Sequence, residues 1–187
     1  MKLIELIGII ILFGLAIFLV WLVLAYNGFV QLKNRIENAW SQIDVQLKRR
    51  FDLVPNLMET VKGYAKHEKE TFKMVTEARA LITKAKGVKE QGEAENMLSG
   101  ALKSIFAVSE AYPELKANKN FLMLQEELSG IESKIAYTRQ FYNDEVLKYN
   151  TKTEVLPNSL IAGIFGFNKK EYFEIEETAR EPVKVKF

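Results

Sequence analysis

The sequence predicts an all-α protein, with a single N-terminal transmembrane helix followed by an elongated antiparallel helical bundle of three to four long helices. Three observations predict it. From Leu6 to Tyr26 every residue is apolar, aromatic or glycine. Beyond that run, apolar residues recur at steps of three and four, the period of one helix face. Only 10 glycines and 4 prolines occur in 187 residues, too few turn formers for a many-stranded sheet.

The first segment, 1–26, is expected to be a transmembrane anchor. Its uncharged run of 21 residues, at about 1.5 Å per residue, spans about 32 Å against a hydrocarbon core of about 30 Å. Trp21 and Tyr26 stand toward its downstream end, where amphipathic rings favour the interface. The competing possibility is a cleaved signal peptide. Such a peptide has an apolar stretch of about 7–15 residues and a small-residue cleavage site. Tyr26-Asn27-Gly28 offers no such site, so a retained helix is expected. Lys33, Arg35 and the cluster Lys48-Arg49-Arg50 lie downstream, against Lys2 and Glu5 upstream. Positive residues tend to stay on the cytoplasmic side, so the domain is expected there. Gly8 and Gly14 are six apart and do not make a small-xxx-small dimerisation face.

Residues 27–156 read as the bundle. Leu32, Ile36, Trp40, Ile43, Leu47, Phe51, Val54, Met58, Val61 and Ala65 form one stripe, with a mean step of about 3.7. It predicts that the membrane helix continues into the domain as a long, nearly straight rod. Pro55 predicts a kink, or else a break with Asp52 capping a second helix; the unbroken register favours the kink. The pattern runs on through Phe72, Val75 and Ile82 until the stretch from Lys86-Gly87-Val88 to Gly92 supplies a stop. A further helix is expected over about 93–112, with Met97, Ala101, Ile105, Val108 and Tyr112 on one face. After Pro113 and the 117–120 stretch, the last long helix carries Phe121, Leu124, Leu128, Ile131, Ile135, Thr138, Tyr142, Val146 and Tyr149. Gly130 inside it suggests a close helix approach. Pro157 ends it. Amphipathic helices joined by short loops pack most simply as an antiparallel bundle.

The remaining segment, 157–187, differs in kind. It opens with the charge-free PNSLIAGIFGF, an apolar loop followed by a tail with a short strand expected at Val183–Phe187. Exposed, its Leu160, Ile164, Phe165 and Phe167 would form an interaction or membrane-insertion surface. Buried, they would cap the end of the bundle.

Reactive chemistry finds little support. Cysteine is absent, which removes disulfides, thiolate metal sites and a thiol nucleophile. The 26 basic and 24 acidic residues are too balanced for a nucleic-acid footprint. His67 is the one histidine, and a di-metal bundle normally needs two Glu-x-x-His motifs. No phosphate-binding glycine loop and no Gly-x-Ser-x-Gly elbow is present. No catalytic residue, cofactor or metal site is therefore expected. The charged residues Arg49, Arg50 and Asp52 on the first helix read as a solvated face laced with ion pairs, or as a contact for an oligomer or partner. Arg139, near Tyr142 and Asn143, raises the same question, with hydrogen-bonded packing as the other possibility.

The run from Asn34 to Arg50, NRIENAWSQIDVQLKRR, with Asp52-Leu53-Val54-Pro55-Asn56-Leu57 and Val61-Lys62-Gly63-Tyr64, resembles the LemA family of bacterial membrane proteins. Phe141-Tyr142-Asn143, Tyr149-Asn150 and Gly163 to Phe167 match its later blocks, so the resemblance covers essentially the whole chain. It implies one membrane helix in the bacterial inner membrane, an elongated antiparallel bundle and no established enzymatic activity. It also implies an association with a membrane zinc metallopeptidase of the HtpX type and kinship with a magnetosome membrane protein. The expected function is a non-enzymatic membrane-anchored scaffold that self-associates and organises membrane or recruits partners. The alternative is a regulatory adaptor for a membrane metallopeptidase or an envelope-stress pathway. Expected partners are the lipid bilayer and further copies of the chain, with the HtpX-type protease as a third and no nucleic acid.

Overall fold

The structure, a computed structural model, describes residues 3–174. Six helices follow in order: α1 (Leu3–Lys62), α2 (Lys69–Lys84), α3 (Val88–Ser109), α4 (Pro113–Lys116), α5 (Lys119–Glu154) and α6 (Asn158–Phe165). No strand occurs among the described residues. The strand expected at Val183–Phe187 lies outside them.

The 60-residue α1 joins the apolar segment and the first bundle helix without a break. It is the one helix among the described residues long and apolar enough to cross a membrane. Side chains from Leu6 to Leu24 are largely exposed, as lipid-facing residues would be. The helix continues through Pro55, so Asp52 does not cap a second helix. Proline removes one backbone donor, and the buried Val54, Leu57, Met58 and Val61 hold the register around it.

Two helix boundaries differ from the expected ones. The pattern expected to run on to Ile82 is divided after Lys62, because the chain turns at Gly63 and Tyr64. The Ala65 N–H bonds the Val61 carbonyl at 2.9 Å, and α2 begins at Lys69. Ala65 stays buried, so the stripe survives the turn that sequence spacing could not reveal. The later stop falls on Gly87 alone. Its φ of +92° lies in the left-handed region that favours glycine, and the Lys86 N–H reaches the Glu90 carboxylate at 2.7 Å. The helix expected from about residue 93 therefore starts at Val88, with Gly92 inside its second turn. On its core face Ala101 and Ile105 are buried as expected, but Leu98 is fully buried where Met97 was expected, and Met97 is half exposed. At the start of α5 the Asn118 side chain caps the helix by accepting the Phe121 N–H at 3.0 Å.

The described chain divides by contacts into two compact units, residues 3–40 with 141–170, and residues 41–140 with 171–174. In the first, α1 and α5 run antiparallel. Phe29 meets Tyr149 edge to face at 6.0 Å, and Trp40 meets Tyr142 at 5.5 Å, so rising numbers on one helix meet falling numbers on the other. In the second, Val54, Leu57, Val61, Val75, Leu98, Ile105, Leu115 and Phe121 make the core. There α2 and α3 pack on each other, and Arg79 stacks over the Phe51 ring at 4.2 Å.

Two glycines show opposite reasons for being glycine. A Cβ on Gly92 would lie 2.6 Å from the Glu174 carbonyl oxygen and 3.4 Å from the Phe173 ring. Phe173 is fully buried, so the returning chain lies directly on α3 at this point. Gly130 was expected to mark a close approach, but nothing lies within 4 Å of the Cβ it would carry. Thermal unfolding of the full-length protein in detergent should separate them. Gly92→Ala is expected to destabilise by about 1–3 kcal/mol, because backbone must move. Gly130→Ala should stabilise by about 1 kcal/mol through helix propensity. Stabilisation by Gly92→Ala would contradict the tight return of the chain.

Candidate functional site

In the unit formed by 3–40 and 141–170, the charge-free segment folds into α6. Gly166, with φ +71°, ends this helix in the left-handed conformation, and the Phe167 N–H closes back on the Ala162 carbonyl at 2.9 Å. This turn carries Phe167 onto Phe29, where the rings stack at 4.7 Å. Tyr26, the last residue of the apolar run, meets Phe165 at 5.0 Å and Phe167 at 5.5 Å. Ile161 and Ala162 are buried beneath, while Leu160, Ile164 and Phe165 remain exposed. The segment expected as a loop is therefore largely helical; of its four apolar candidates Phe167 packs on Phe29, while Leu160, Ile164 and Phe165 are exposed.

The chain leaving α6 is held by Asn150. Its side-chain amide donates to the Lys170 carbonyl at 2.9 Å and accepts the Lys170 N–H at 2.8 Å. Both backbone groups of one residue are satisfied by one side chain, which accounts for a buried asparagine beside Tyr149. Lys152 lies 4.7 Å over the Phe29 ring, and burial pushes its ammonium pKa down.

In the unit formed by 41–140 and 171–174, Arg50 is fully buried. Its guanidinium pairs with the buried Glu95 of α3 and with Glu132 of α5, and it donates to Ser99 Oγ at 2.9 Å. Ser99 in turn donates to Glu132 at 3.1 Å, and Gln91 donates to Glu95 at 2.9 Å. One side chain therefore links α1, α3 and α5. Burial pushes the Glu95 carboxyl up, against the opposing pull of Arg50.

Beside this cluster an open groove of about 560 Å³ runs between α3 and α5. Leu102, Phe106, Leu122 and Leu128 floor it, and Ser99 and Glu132 stand at its polar edge. Sequence reasoning did not find this groove, because a groove arises from the spacing of two helices rather than from either alone.

The remaining candidates are dispersed. Arg49 bonds Glu127 at 2.6 Å in a half-exposed pair, of the kind worth at most about 1 kcal/mol. Asp52 is exposed on α1 and Arg139 is half-buried on α5. Arg50 does not belong to a solvated face, since it sits in the packed interior. His67 is exposed in the turn between α1 and α2. No cluster of three metal-type ligands occurs among the described residues.

Removing one partner of a buried ion pair leaves the other charged and dry, so Arg50→Met should cost about 3–5 kcal/mol. The pH dependence has a definite sign. A carboxyl whose folded pKa is raised contributes stability below its unfolded pKa and loses it as pH rises through the folded value. Arg50 opposes that rise, so the variant should lose more stability between about pH 4 and 7 than the unaltered protein does. Denaturation midpoints of both proteins across that range check this. A parallel pH profile would contradict a buried, arginine-held Glu95.

With this geometry in view, comparison with known proteins is informative. The LemA family model matches residues 39–187. Protein LemA of Metamycoplasma hominis is 28% identical over 162 residues, covering 84% of this chain and 72% of that protein. Magnetosome protein MamQ 2 of Paramagnetospirillum magneticum is 24% identical over 192 residues, covering 89% and 71%. Magnetosome protein MamQ of Magnetospirillum gryphiswaldense is 24% identical over 196 residues, covering 91% and 72%.

Proposed function

The chain belongs to the LemA family, and from that membership we propose that it is a membrane-anchored, non-enzymatic helical scaffold that self-associates and organises membrane or recruits partners. The observation that carries this is the continuity of α1. The apolar segment passes into the folded part with no linker, and Tyr26 and Phe29 at the junction are already packed against Phe165 and Phe167. That packing also supports a retained anchor, because cleavage after residue 26 would cut a continuous helix and strip Tyr26 from its aromatic neighbours. A folded body held close to the bilayer meets its neighbours in two dimensions, which raises their effective concentration and favours lateral assembly. Relatives named as magnetosome proteins are named for an assembled cellular structure, which supports the same reading. The inner membrane, with the domain on its cytoplasmic side, fits the downstream Lys33, Arg35 and Lys48-Arg49-Arg50.

The apolar groove between α3 and α5 favours a second reading, a regulatory adaptor that receives a helix from a partner such as a membrane metallopeptidase. Sedimentation in mild detergent at several concentrations separates the two. The scaffold reading expects a species larger than the monomer that persists on dilution, and a strictly monomeric profile at every concentration would sink it. The adaptor reading expects a cross-linked partner at fixed stoichiometry, lost when the exposed groove residue Leu122 is replaced by glutamate while the helical content stays unchanged.

A further inference from the structure

We propose that α6 is a membrane-interface wedge, whose exposed Leu160, Ile164 and Phe165, with Val155 and Leu156 before them, dip into the lipid leaflet from which α1 emerges. Leu156, Leu160 and Ile164 are 77%, 62% and 75% exposed, a concentration of bare aliphatic side chains that water alone would not favour. What covers them follows from where they are held. Phe165 and Phe167 rest on Tyr26, and Phe167 stacks on Phe29, so α6 is tied to α1 where the apolar run ends. The apolar face of α6 therefore continues the exposed apolar surface of the span itself, which ends with Val23, Leu24 and Tyr26. A tyrosine at that position prefers the headgroup boundary, and a helix fixed beside it lies at the same depth.

The charge pattern agrees. No charged residue occurs from Val155 to Phe167, and this stretch is bracketed by Lys152 and Glu154 on one side and Lys169 and Lys170 on the other. Lys169 pairs with Glu154, which ties the two flanks together at the base of α6. A short apolar helix closed by basic residues has the character of a segment lying in the interface plane. Gly163, with nothing within 4 Å of a Cβ, keeps the face between Leu160 and Ile164 low and open. The wedge does not require self-association and goes beyond the scaffold reading.

The absence of cysteine makes the test direct. Leu160→Cys and Ile164→Cys each give the full-length chain a single labelling site on an exposed position, and Tyr137→Cys, at a 74% exposed residue, gives a comparison site. Each protein is labelled with an environment-sensitive nitrobenzoxadiazole dye and reconstituted in vesicles of phosphatidylcholine and phosphatidylglycerol, with circular dichroism confirming unchanged helicity. The expected result at 160 and 164 is blue-shifted emission, strong quenching by doxyl-labelled lipid and weak quenching by iodide, with the reverse at 137. Water-like, iodide-quenched emission at 160 and 164 would overturn the proposal. So would blue-shifted emission indifferent to doxyl lipid, which would mean that a second copy or another protein covers the face.

Discussion

A helix that reaches the edge of a bilayer must satisfy its last carbonyls in water, in a cap, or by continuing. In lipid there is no alternative to intrahelical bonding. α1 continues: it leaves the apolar run at Tyr26 and remains helical to Lys62. Once that helix goes on, its apolar stripe must be covered, and the remaining helices are arranged to cover it. Near the membrane end the cover is Tyr149 and Phe167 over Phe29, and further along it is Tyr142 over Trp40. In the second unit, α2 and α3 contribute Val75, Leu98 and Ile105 to the core that holds Val54, Leu57 and Val61. Continuity is the constraint, and packing is its consequence.

Elements governed by that stripe are legible in the sequence. Of the nine residues expected on the inner face of the last long helix, Phe121, Leu128, Ile131, Ile135, Tyr142, Val146 and Tyr149 are buried, while Leu124 and Thr138 are half-buried. Periodicity fails where a local backbone event or a second helix decides. Gly63 ends α1 although the apolar period runs straight past it, because a periodic pattern records which face is buried and is silent about a turn that preserves it. On α3, Met97 and Leu98 are neighbours 100° apart, and both belong to sets at helical spacing. Only the facing helices choose between them. Gly92 and Gly130 look alike in sequence, yet chain some eighty residues from Gly92 fills the space beside it, and nothing fills the space beside Gly130.

Arg50 is the instructive case for the site. It lies three residues after Leu47 and four before Val54, squarely on the buried stripe of α1. Glu95 lies three residues before Leu98 on the buried stripe of α3. Opposite charges on two apolar stripes are a signal that the core contains an ion pair, and the signal is readable once the correct face of α3 is known. Such a pair contributes little net stability compared with well-packed apolar residues. Its effect is on register: sliding α3 by one turn along α1 would leave both charges dry and unpaired, at a cost far larger than that of misplacing a leucine. Glu132 and Ser99 extend the same demand to α5. Shifted packings of the three helices would leave these groups unpaired, and the cluster disfavours them to that extent.

That division of labour bears on function. Each unit leaves an apolar surface uncovered. α6 presents one beside the end of the span, and α3 with α5 presents another as a groove in the second unit. A contiguous exposed apolar patch, unlike scattered apolar residues, marks a place where something excludes water. For α6, the neighbour that is always present is the bilayer entered by the same helix that carries Tyr26 and Phe29. The groove has an apolar floor and a polar edge, where Ser99 and Glu132 bond each other and Arg50.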